Sequence, residues 1–326
     1  MHVNRTPEYY LTIAREQNIS RAAEKLFISQ SSLSQHLAKL EAELGARLFD
    51  RTKNPLELTE AGKLYKSYLE STMFLYQRFE ADLSDMEKDK RQTVSIGCGT
   101  WRGSLLIPQI LPEFLRTQEQ ALVNLNEYPV SELLPKVQSG QLDFVIMNAA
   151  PDTIPRDLVC DIICYERILL VARYDLEMTK ELIQAAEPTE DVISGALGRE
   201  RLITLNNRLT VGRTVENYLE MKRIAPRYRL KTTNNSTALG LTAAGMGYCF
   251  MVETGLEEIL KNPEMTLFDM HAQELTIPLA VIYRRNSYLA PMTESLIDTV
   301  RAYYLQMLER SRQSRKIIDL GKKTDY

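Results

Sequence analysis

The sequence predicts two units of different fold class: a small, mostly helical domain at the N-terminus and a larger α/β domain, joined by one long helix. Three observations predict this. Apolar residues recur at helical spacing in three short segments before residue 45. Residues 59–88 then contain no proline. From residue 93 onward, short apolar runs alternate with helical segments, a pattern typical of α/β domains with largely parallel sheets.

The length and composition are those of a globular protein. The chain of 326 residues is long enough for two or three domains, and its content of 44% apolar and 25% charged residues is ordinary. No apolar run approaches the length of a membrane span, and the first ten residues lack the apolar core of a signal peptide. We therefore expect a cytoplasmic protein that does not enter a membrane.

The net charge of −3 argues against a protein that coats nucleic acid through an excess of positive charge. Even residues 1–62 carry eight Lys and Arg against eight Asp and Glu. Any contact with nucleic acid must therefore depend on where the basic residues lie, and not on their number.

The four cysteines and three histidines show no spacing typical of a metal site, so the sequence predicts no metal and no cofactor. Cys160 and Cys164 lie close enough in the sequence to form a redox pair. Reduced, partly buried thiols are the alternative, which the expected cytoplasmic location favours.

Two short helices open the chain. The first is expected from Pro7 to Gln17, with Asn18 as its stop. Ser20 is the expected N-cap of the second helix, because it directly precedes a compact segment whose small alanines let another helix cross closely. The apolar face of this second helix is expected to consist of Ala22, Ala23, Leu26 and Phe27.

A third helix, over residues 30–44, has two different faces. Ser29 is its expected N-cap and Gly45 its expected end. Leucines at spacings of four, three and four predict a buried stripe. The stripe consists of Leu33, Leu37, Leu40 and Leu44. The opposite face carries Gln30, Ser31, Ser34, Gln35 and Lys39.

The side chains of this polar face suit contact with DNA bases. Glutamine can pair with adenine through two hydrogen bonds, serine donates or accepts, and lysine reaches phosphate or guanine. Two helices joined by a short turn, the second with such a face, predict a helix-turn-helix. The alternative for each residue taken singly is a solvated helix face.

A two-stranded wing is expected next. Short apolar segments at residues 48–49 and 56–58 flank a polar turn that carries Arg51 and Lys53. Both cations are well placed for the phosphate backbone or the minor groove. The order of helix, turn, polar helix and basic wing favours DNA binding over the solvated alternative.

Residues 21–62 carry a family resemblance. The run SQ-x-x-LS-x-x-x-x-x-LE, the segment LG-x-x-LF-x-R and the closing LT-x-x-G resemble the signature of LysR-type transcriptional regulators. Ser31 departs from a frequent proline, and Gln35-His36 from a common arginine, which should change the bases preferred. The resemblance implies a winged helix-turn-helix DNA-binding domain over residues 1–62. The DNA-binding residues that it implies are Arg21, Gln30, Ser31, Ser34, Gln35, Lys39, Arg51 and Lys53.

A linker of residues 59–92 is expected to consist of one long helix, with Thr59 as its N-cap, and a polar hinge at residues 87–92. The apolar residues of the helix fall near a three-four repeat, which suits two helices lying together. The alternative is a helix packed on its own domain. The resemblance favours a dimerising linker, and hence a homodimer or homotetramer. The repeat consists of Ala61, Tyr65, Tyr68, Leu75, Phe79, Leu83 and Met86.

Two strand-turn-helix openings, at residues 94–106 and 202–219, indicate that the α/β domain has two similar halves. This organisation resembles the periplasmic-binding-protein-like effector domain of the same family, which implies an effector-binding domain over residues 93–326. Subdomain I is expected over about 93–164 and 267–326, and subdomain II over about 165–266. The predicted strands are 94–98, 121–126, 142–147, 167–172, 201–205, 247–252 and 279–283; the predicted helices are 105–115, 131–140, 211–221, 236–245 and 294–308.

Ligands of open α/β sheets bind where strands end and helices begin, since backbone N–H groups are unsatisfied there. Arg102 at such a place could meet a carboxylate, which indicates a small polar or anionic metabolite as the effector. The alternative for each residue is a turn or a cap. The expected effector-binding residues are Gly99, Thr100, Arg102, Ser131, Asn148, Asn206, Asn207, Asn235 and Ser236.

The predicted function is a regulator that binds double-stranded operator DNA as an oligomer and responds to a small-molecule effector. The family resemblance also allows contact with RNA polymerase. Two alternatives stay open: a small-molecule-binding protein with a redox cysteine signal, and an uncharacterised enzyme. An enzyme is disfavoured because the sequence holds no GxSxG, P-loop or HExxH motif. The basic tail from residue 310 suits either DNA contact or a solvated end.

Overall fold

The computed structural model describes residues 6–88, 93–185, 189–226, 228–285, 289–314 and 317–320. It divides into two compact units, one of residues 1–88 and one of residues 89–138 with 142–326. Residues 89–92 of the predicted hinge and residues 315–316 and 321–326 of the basic tail lie outside the described part. Among the helices that are described, none is both long and apolar enough to cross a membrane.

The first unit contains three short helices, a two-stranded wing and a long helix. Its core lies between the short helices and buries large side chains such as Tyr10, Ile13, Leu33 and Leu37 against the small Ala22. Burial of each such leucine or isoleucine contributes about 1.5–3 kcal/mol. The elements are α1 (Thr6–Glu16), α2 (Ile19–Lys25), α3 (Gln30–Leu44), β1 (Phe49–Asp50), β2 (Glu57–Leu58) and α4 (Glu60–Lys88).

Local capping sets the ends of α2 and α3. Ser29 caps α3 by accepting from the Ser32 N–H at 3.2 Å, and Gly45 ends it in the left-handed conformation, so both predictions are confirmed. The prediction that Ser20 caps α2 is wrong. Asn18 takes that place because α2 begins at Ile19, and the Asn18 side chain accepts from the backbone N–H at the end of the first turn.

Two apolar residues lie outside the predicted core. Phe27 is 95% exposed, since the backbone turns to a φ of 56° there and the side chain leaves the apolar face of α2. Leu44, the last leucine of the predicted stripe, is exposed at the C-terminal end of α3. The other members of the stripe are buried as predicted: Leu33, Leu37 and Leu40.

The wing and α4 meet through a close backbone contact. β1 and β2 pair antiparallel, and Thr59 caps α4 as predicted, accepting from the Gly62 N–H at 3.0 Å. The Tyr10 hydroxyl donates to the Gly62 carbonyl at 2.6 Å. A Cβ on Gly62 would collide with the backbone oxygen of Leu48. The helix can therefore approach the wing this closely only with glycine at position 62.

The apolar residues of α4 face two directions. Ala61 and Tyr65 pack against the core of their own unit, and the Tyr65 ring meets Tyr10 edge-on at 4.9 Å between centroids. Leu69, which the predicted repeat omits, is buried there too. A second set of apolar side chains on α4 is exposed: Leu64, Tyr68, Met73 and Tyr76. The side chains of Leu75, Phe79, Leu83 and Met86 lie outside the described part.

The second unit alternates strands and helices. Its elements in chain order are β3 (Thr93–Cys98), α5 (Thr100–Leu105), α6 (Ile107–Thr117), β4 (Leu122–Glu127), α7 (Val130–Gln138), β5 (Phe144–Asn148), β6 (Leu158–Arg173), α8 (Glu177–Gln184), α9 (Glu190–Arg199), β7 (Arg201–Leu205), α10 (Thr210–Met221), β8 (Tyr228–Thr232), α11 (Asn235–Ala243), β9 (Cys249–Val252), α12 (Leu256–Ile259), β10 (Met265–Asp269), β11 (Thr276–Arg284), α13 (Pro291–Arg312) and β12 (Ile317–Asp319). Short 3-10 turns lie at Pro151–Thr153, Glu253–Gly255 and Gln273–Leu275.

The strands form two lobes. In the first lobe the order is β4-β3-β5-β11-β6, with β3 parallel to both its neighbours and β11 antiparallel to β5 and β6. In the second lobe, β9 and β10 pair antiparallel with β6, and β7 pairs parallel with β8. The prediction of a largely parallel sheet is therefore wrong at β6 and β11, because every pair that these two strands form is antiparallel. These two strands carry the chain between the lobes, so they run against their neighbours.

β6 serves both lobes as one strand of sixteen residues. Residues 158–167 pair with β11, whereas residues 168–173 pair with β9 and β10. Ile163 lies in the core of the first lobe, and Leu170 in a core of the second. The sequence predicted only residues 167–172 because Asp161 and Glu166 interrupt the apolar run before them.

The second lobe is larger than predicted. Phe268, Met270, Leu275 and Leu320, which the predicted boundaries assign to the first subdomain, are buried in the core that includes Leu170. The reason is that β10 and β12 extend the sheet from the second part of β6. Six elements of this lobe were not predicted from the sequence: α8, α9, β8, α12, β10 and β12.

Candidate functional site

The polar face of α3 is open to solvent in the first unit. Gln30, Ser31, Gln35 and Lys39 are exposed and Ser34 is half-buried. Their mutual contacts are few: the Gln30 amide donates to Ser34 Oγ at 3.5 Å, and Lys39 lies 3.9 Å from the exposed Glu43. Ser31 Oγ lies 3.0 Å from Ser29 Oγ, so the side chains with the weakest internal partners on this face are Gln30, Gln35 and Lys39.

The neighbours of this face differ in how firmly they are held. Arg21 is exposed and donates from its guanidinium to the Glu16 carbonyl at 2.8 Å. The ring of His36 packs edge-on against Tyr9 at 5.1 Å. Contact with Tyr9 positions the His36 ring, so Gln35 is the freer of the two side chains to reach a base edge.

The wing presents two cations of different character. Arg51 is 43% exposed and donates to Glu41 Oε2 at 3.0 Å, while the other Glu41 oxygen accepts from the Leu48 N–H at 2.8 Å. Arg51 is thus part of the joint between α3 and the wing. Lys53 is exposed farther along the turn, where Asp50 accepts from the Thr52 hydroxyl at 2.6 Å.

A cleft in the second unit brings together four of the predicted effector-binding residues: Gly99, Arg102, Asn148 and Asn235. The remaining five are not among its lining residues. Thr100, Ser131, Asn207 and Ser236 are exposed, and Asn206 accepts from the Arg208 N–H at 2.9 Å, which makes it a turn residue.

Apolar side chains supply most of the cleft, and sequence reasoning missed them. Its volume is about 570 Å³, counted with the open mouth. Trp101 lines it and packs against a core of the second lobe. The signal that could have found these residues is their place at strand ends and in the first turns of helices. The missed lining residues are Trp101, Val130, Ile146, Met147, Leu205, Leu209, Thr210, Val211 and Val252.

Arg102 belongs to a buried polar cluster. Its guanidinium donates to the Tyr304 hydroxyl at 2.8 Å, to Asn148 Oδ1 at 2.8 Å and to Glu166 Oε2 at 3.3 Å. The Asn148 amide donates to the same Glu166 oxygen at 2.5 Å. Burial alone would lower the pKa of Arg102, but Tyr304 and Glu166 raise it on balance. The carboxylate that Arg102 meets is therefore the protein's own Glu166.

A hydrogen bond crosses the cleft beside this cluster. The hydroxyl of Thr210, at the start of α10, donates to the Asn148 carbonyl at 3.2 Å. Asn148 thus joins Arg102 and Glu166 through its side chain and α10 through its backbone.

The cysteines do not form a reactive pair. Burial raises the pKa of Cys98, Cys164 and Cys249 to about 12, which disfavours the thiolate. Cys160 and Cys164 are four residues apart on β6, a distance of about 13 Å along an extended strand. A disulfide needs Cα atoms within about 7 Å. The strand geometry opposes the redox pair that the sequence left open.

One group of side chains among the described residues has the donor atoms of a metal site. Asp269, His271 and Asp319 place their ligand atoms within 4.8 Å of one another. Sequence spacing concealed it because Asp319 lies far along the chain. Asp269 is already held by Arg167 Nη1 at 2.5 Å and by the His271 N–H at 2.8 Å, so these residues serve first as a polar joint between β10 and β12.

One unit contains a winged helix-turn-helix, and the other is an α/β domain with a cleft between two lobes. Together they define the class of transcription regulators that combine a DNA-binding domain with a domain of the ligand-binding type. Two family models match the chain. The bacterial regulatory helix-turn-helix of the lysR family matches residues 5–63, and the LysR substrate binding domain matches residues 87–304. The second model alone covers more than half of the chain. The chain belongs to the LysR family of transcription regulators.

Similar proteins match this chain over most of its length. A probable RuBisCO transcriptional regulator of Trieres chinensis is 25% identical over 85% of this chain and 89% of its own. An uncharacterized HTH-type transcriptional regulator, YybE of Bacillus subtilis strain 168, is 23% identical over 91% and 97%. The Vibrio fischeri DarR structure in complex with DNA has a TM-score of 0.52 at 21% identity, over 92% and 99%.

Proposed function

We propose that this protein binds a specific operator as an oligomer through α3 and the wing, and that a small molecule in the cleft of the second unit controls this binding. The exposed polar face of α3 carries the proposal. A helix in the major groove reads bases with its exposed amide and hydroxyl side chains, and a cation on a neighbouring wing reaches phosphate. An effector acts only if it binds the two states of the assembly unequally.

The proposed organisation follows the packing. Residues 1–62 form the DNA-binding domain, residues 59–92 the linker, and residues 93–326 the effector-binding domain. We place residues 168–275 and 317–320 in the second lobe, because Ile168, Leu275 and Leu320 belong to its core. We further propose a cytoplasmic location, regulation without catalysis, and RNA polymerase as the partner of the DNA-bound protein.

Base recognition by α3 predicts a change in sequence preference. Gln35→Ala and Ser34→Ala should each lower discrimination at particular base pairs by about 1–3 kcal/mol, since each substitution removes a hydrogen-bonding contact with a base edge. Lys53→Ala should instead weaken binding to all sequences and reduce the salt slope by about one unit. Fluorescence anisotropy with an operator found by genomic footprinting, and with a scrambled duplex, measures both effects across a salt series.

The matched control for this experiment is Gln120→Ala, which removes an exposed glutamine from the second unit. It should leave affinity, discrimination and salt slope unchanged. Full operator discrimination in the variants at positions 34 and 35 would show that α3 does not read the bases.

The exposed apolar side chains of α4 are the proposed surface for a second copy of the chain. Leu64 and Tyr68 are 78% and 62% exposed, one turn apart on the helix. Apolar surface of this kind is stabilised by burial against a partner, and paired linker helices would hold two reading helices for a two-fold operator.

The double substitution Leu64→Glu with Tyr68→Glu should convert the protein to monomers, because dimerisation would bury four like charges. Light scattering after gel filtration at micromolar concentration measures the mass. Lys66→Glu, on the other side of the helix, is the control and should keep the mass of the parent. A double variant with the mass of the parent would place the oligomer interface elsewhere.

A further inference from the structure

The chemistry of the cleft narrows the class of effector. Among the thirteen described residues that line it, eight are apolar, and Arg102 alone is ionic. Sites lined in this way bind ligands mainly by burying apolar surface and use a few polar groups for orientation. The question is therefore whether the charge of Arg102 is available to a ligand.

The charge of Arg102 is balanced inside the protein. Its side chain is 8% exposed, and Glu166, its ion-pair partner, is 0% exposed. The guanidinium also donates to Tyr304 and Asn148, so three hydrogen bonds hold it in place. A carboxylate brought into the cleft would add a second negative charge beside Glu166 and would leave its own charge buried without a counter-ion, which is strongly unfavourable.

The other polar groups at the cleft are neutral. The amide of Asn148 is bound to Arg102 and Glu166, and the hydroxyl of Thr210 is bound to the Asn148 carbonyl. Asn235, half-buried in the first turn of α11, offers an amide that both donates and accepts. The N-termini of α10 and α11 favour negative charge, but this is a partial charge near solvent and does not replace a buried counter-ion.

We infer that the cleft takes an uncharged, mainly apolar small molecule with one hydrogen-bonding group, and that it disfavours carboxylates. This inference rests on the proposed function of the cleft as the effector site. It replaces the expectation of a polar or anionic metabolite, which came from Arg102 before its partner was known. Glu166 is the residue that sets this preference, since it cancels the charge that would otherwise attract an anion.

Matched pairs of probes that differ only in charge test the inference on the full-length protein. The pairs are benzamide and benzoate, cyclohexanecarboxamide and cyclohexanecarboxylate, and indole-3-acetamide and indole-3-acetate. Isothermal titration at pH 7 should give at least tenfold tighter binding for the amide of at least one pair. Val211→Glu, which places a charge in the lining, should abolish that binding.

Glu166→Gln supplies the decisive comparison. It keeps the shape of the side chain and removes the internal counter-charge of Arg102, so the preference should shift at least tenfold toward the carboxylates. Asp161→Asn is the control: Asp161 is another carboxylate of β6, it pairs with Arg301, and it is not among the residues that line the cleft. This variant should keep the parent's preference for amides over carboxylates.

Tighter binding of carboxylates to the parent protein, or binding of none of the three amides, would overturn the inference. An unchanged preference in Glu166→Gln would overturn the role of Glu166. Operator binding by the same preparations is measured in parallel. Sequence-specific DNA binding with a carboxylate-preferring cleft would leave the proposed function standing and the inference refuted, whereas loss of DNA binding would count against the function alone.

Discussion

Replacement of Glu253 by alanine should lower the free energy of unfolding of the second unit by about 3 kcal/mol, the lower end of the range for breaking a buried ion pair. Glu253 is 0% exposed and pairs with Arg167, whose Nε and Nη2 donate to Oε2 at 2.9 and 2.8 Å. The backbone N–H of Arg167 donates to Oε1 at 2.7 Å, and Ser311 of α13 donates to Oε2 at 3.1 Å. Loss of this carboxylate leaves Asp269 as the remaining partner of the partly buried Arg167, and leaves the Arg167 N–H and the Ser311 hydroxyl without their acceptor.

The position of Glu253 explains why the effect should be large. Arg167 lies on β6 where the strand passes from one lobe to the other, and Ser311 belongs to a helix packed in the core of the first lobe. The Glu253 side chain therefore links three segments: β6, α13 and its own 3-10 turn. Urea denaturation followed by circular dichroism measures the loss, and Glu253→Gln should lose less because it keeps an acceptor oxygen for the same donors.

Glu181→Ala is the matched control. Glu181 also pairs with an arginine, Arg199, but both side chains are well exposed. An exposed pair contributes about 0–1 kcal/mol, so this variant should stay within that range of the parent. Equal losses in the two variants would mean that burial of the Glu253 pair does not decide its contribution.

Replacement of Gly62 by alanine should destabilise the first unit by about 3 kcal/mol, at the upper end of the range for overpacking. The added Cβ meets the backbone oxygen of Leu48, which no rotamer change can move. α4 must then shift from the wing, and the hydrogen bond from Tyr10 to the Gly62 carbonyl is strained as well. DNA affinity should fall by at least tenfold, since the wing loses its support.

Gly240→Ala separates this effect from helix propensity. Gly240 also lies within a helix, α11, but an added Cβ there meets nothing within 4 Å. Alanine should stabilise that helix by up to about 1 kcal/mol. Thermal unfolding and DNA affinity are measured for both variants. If Gly62→Ala behaves as Gly240→Ala does, the contact with Leu48 is not what requires glycine.

Features set by neighbours in the sequence could be predicted, because their chemistry is local. Ser29 caps a helix whose apolar repeat starts four residues later, and Gly45 can adopt the left-handed conformation that ends it. The exception is α2, for which both Asn18 and Ser20 are capping types. The spacing of α1 and α2 decides between them, and the sequence pattern does not resolve a shift of two residues.

Features set by distant parts of the chain could not be predicted. Arg102 and Glu166 are 64 residues apart, so the prediction assigned a ligand to Arg102, whereas the fold supplies Glu166 as its partner. Phe27 has the hydrophobicity of a core residue, but its backbone conformation turns it outward. β12 has three residues, too few for a pattern, and it exists because β10 offers it an edge.

The continuity of β6 has a consequence for folding. Removal of this strand from one lobe would also withdraw it from the other, because Ile163 and Leu170 belong to different cores on the same backbone. Neither lobe can therefore melt and leave its neighbour intact. The second unit should lose its structure in a single cooperative transition, and protease should find no site at which one lobe can be released as a stable fragment.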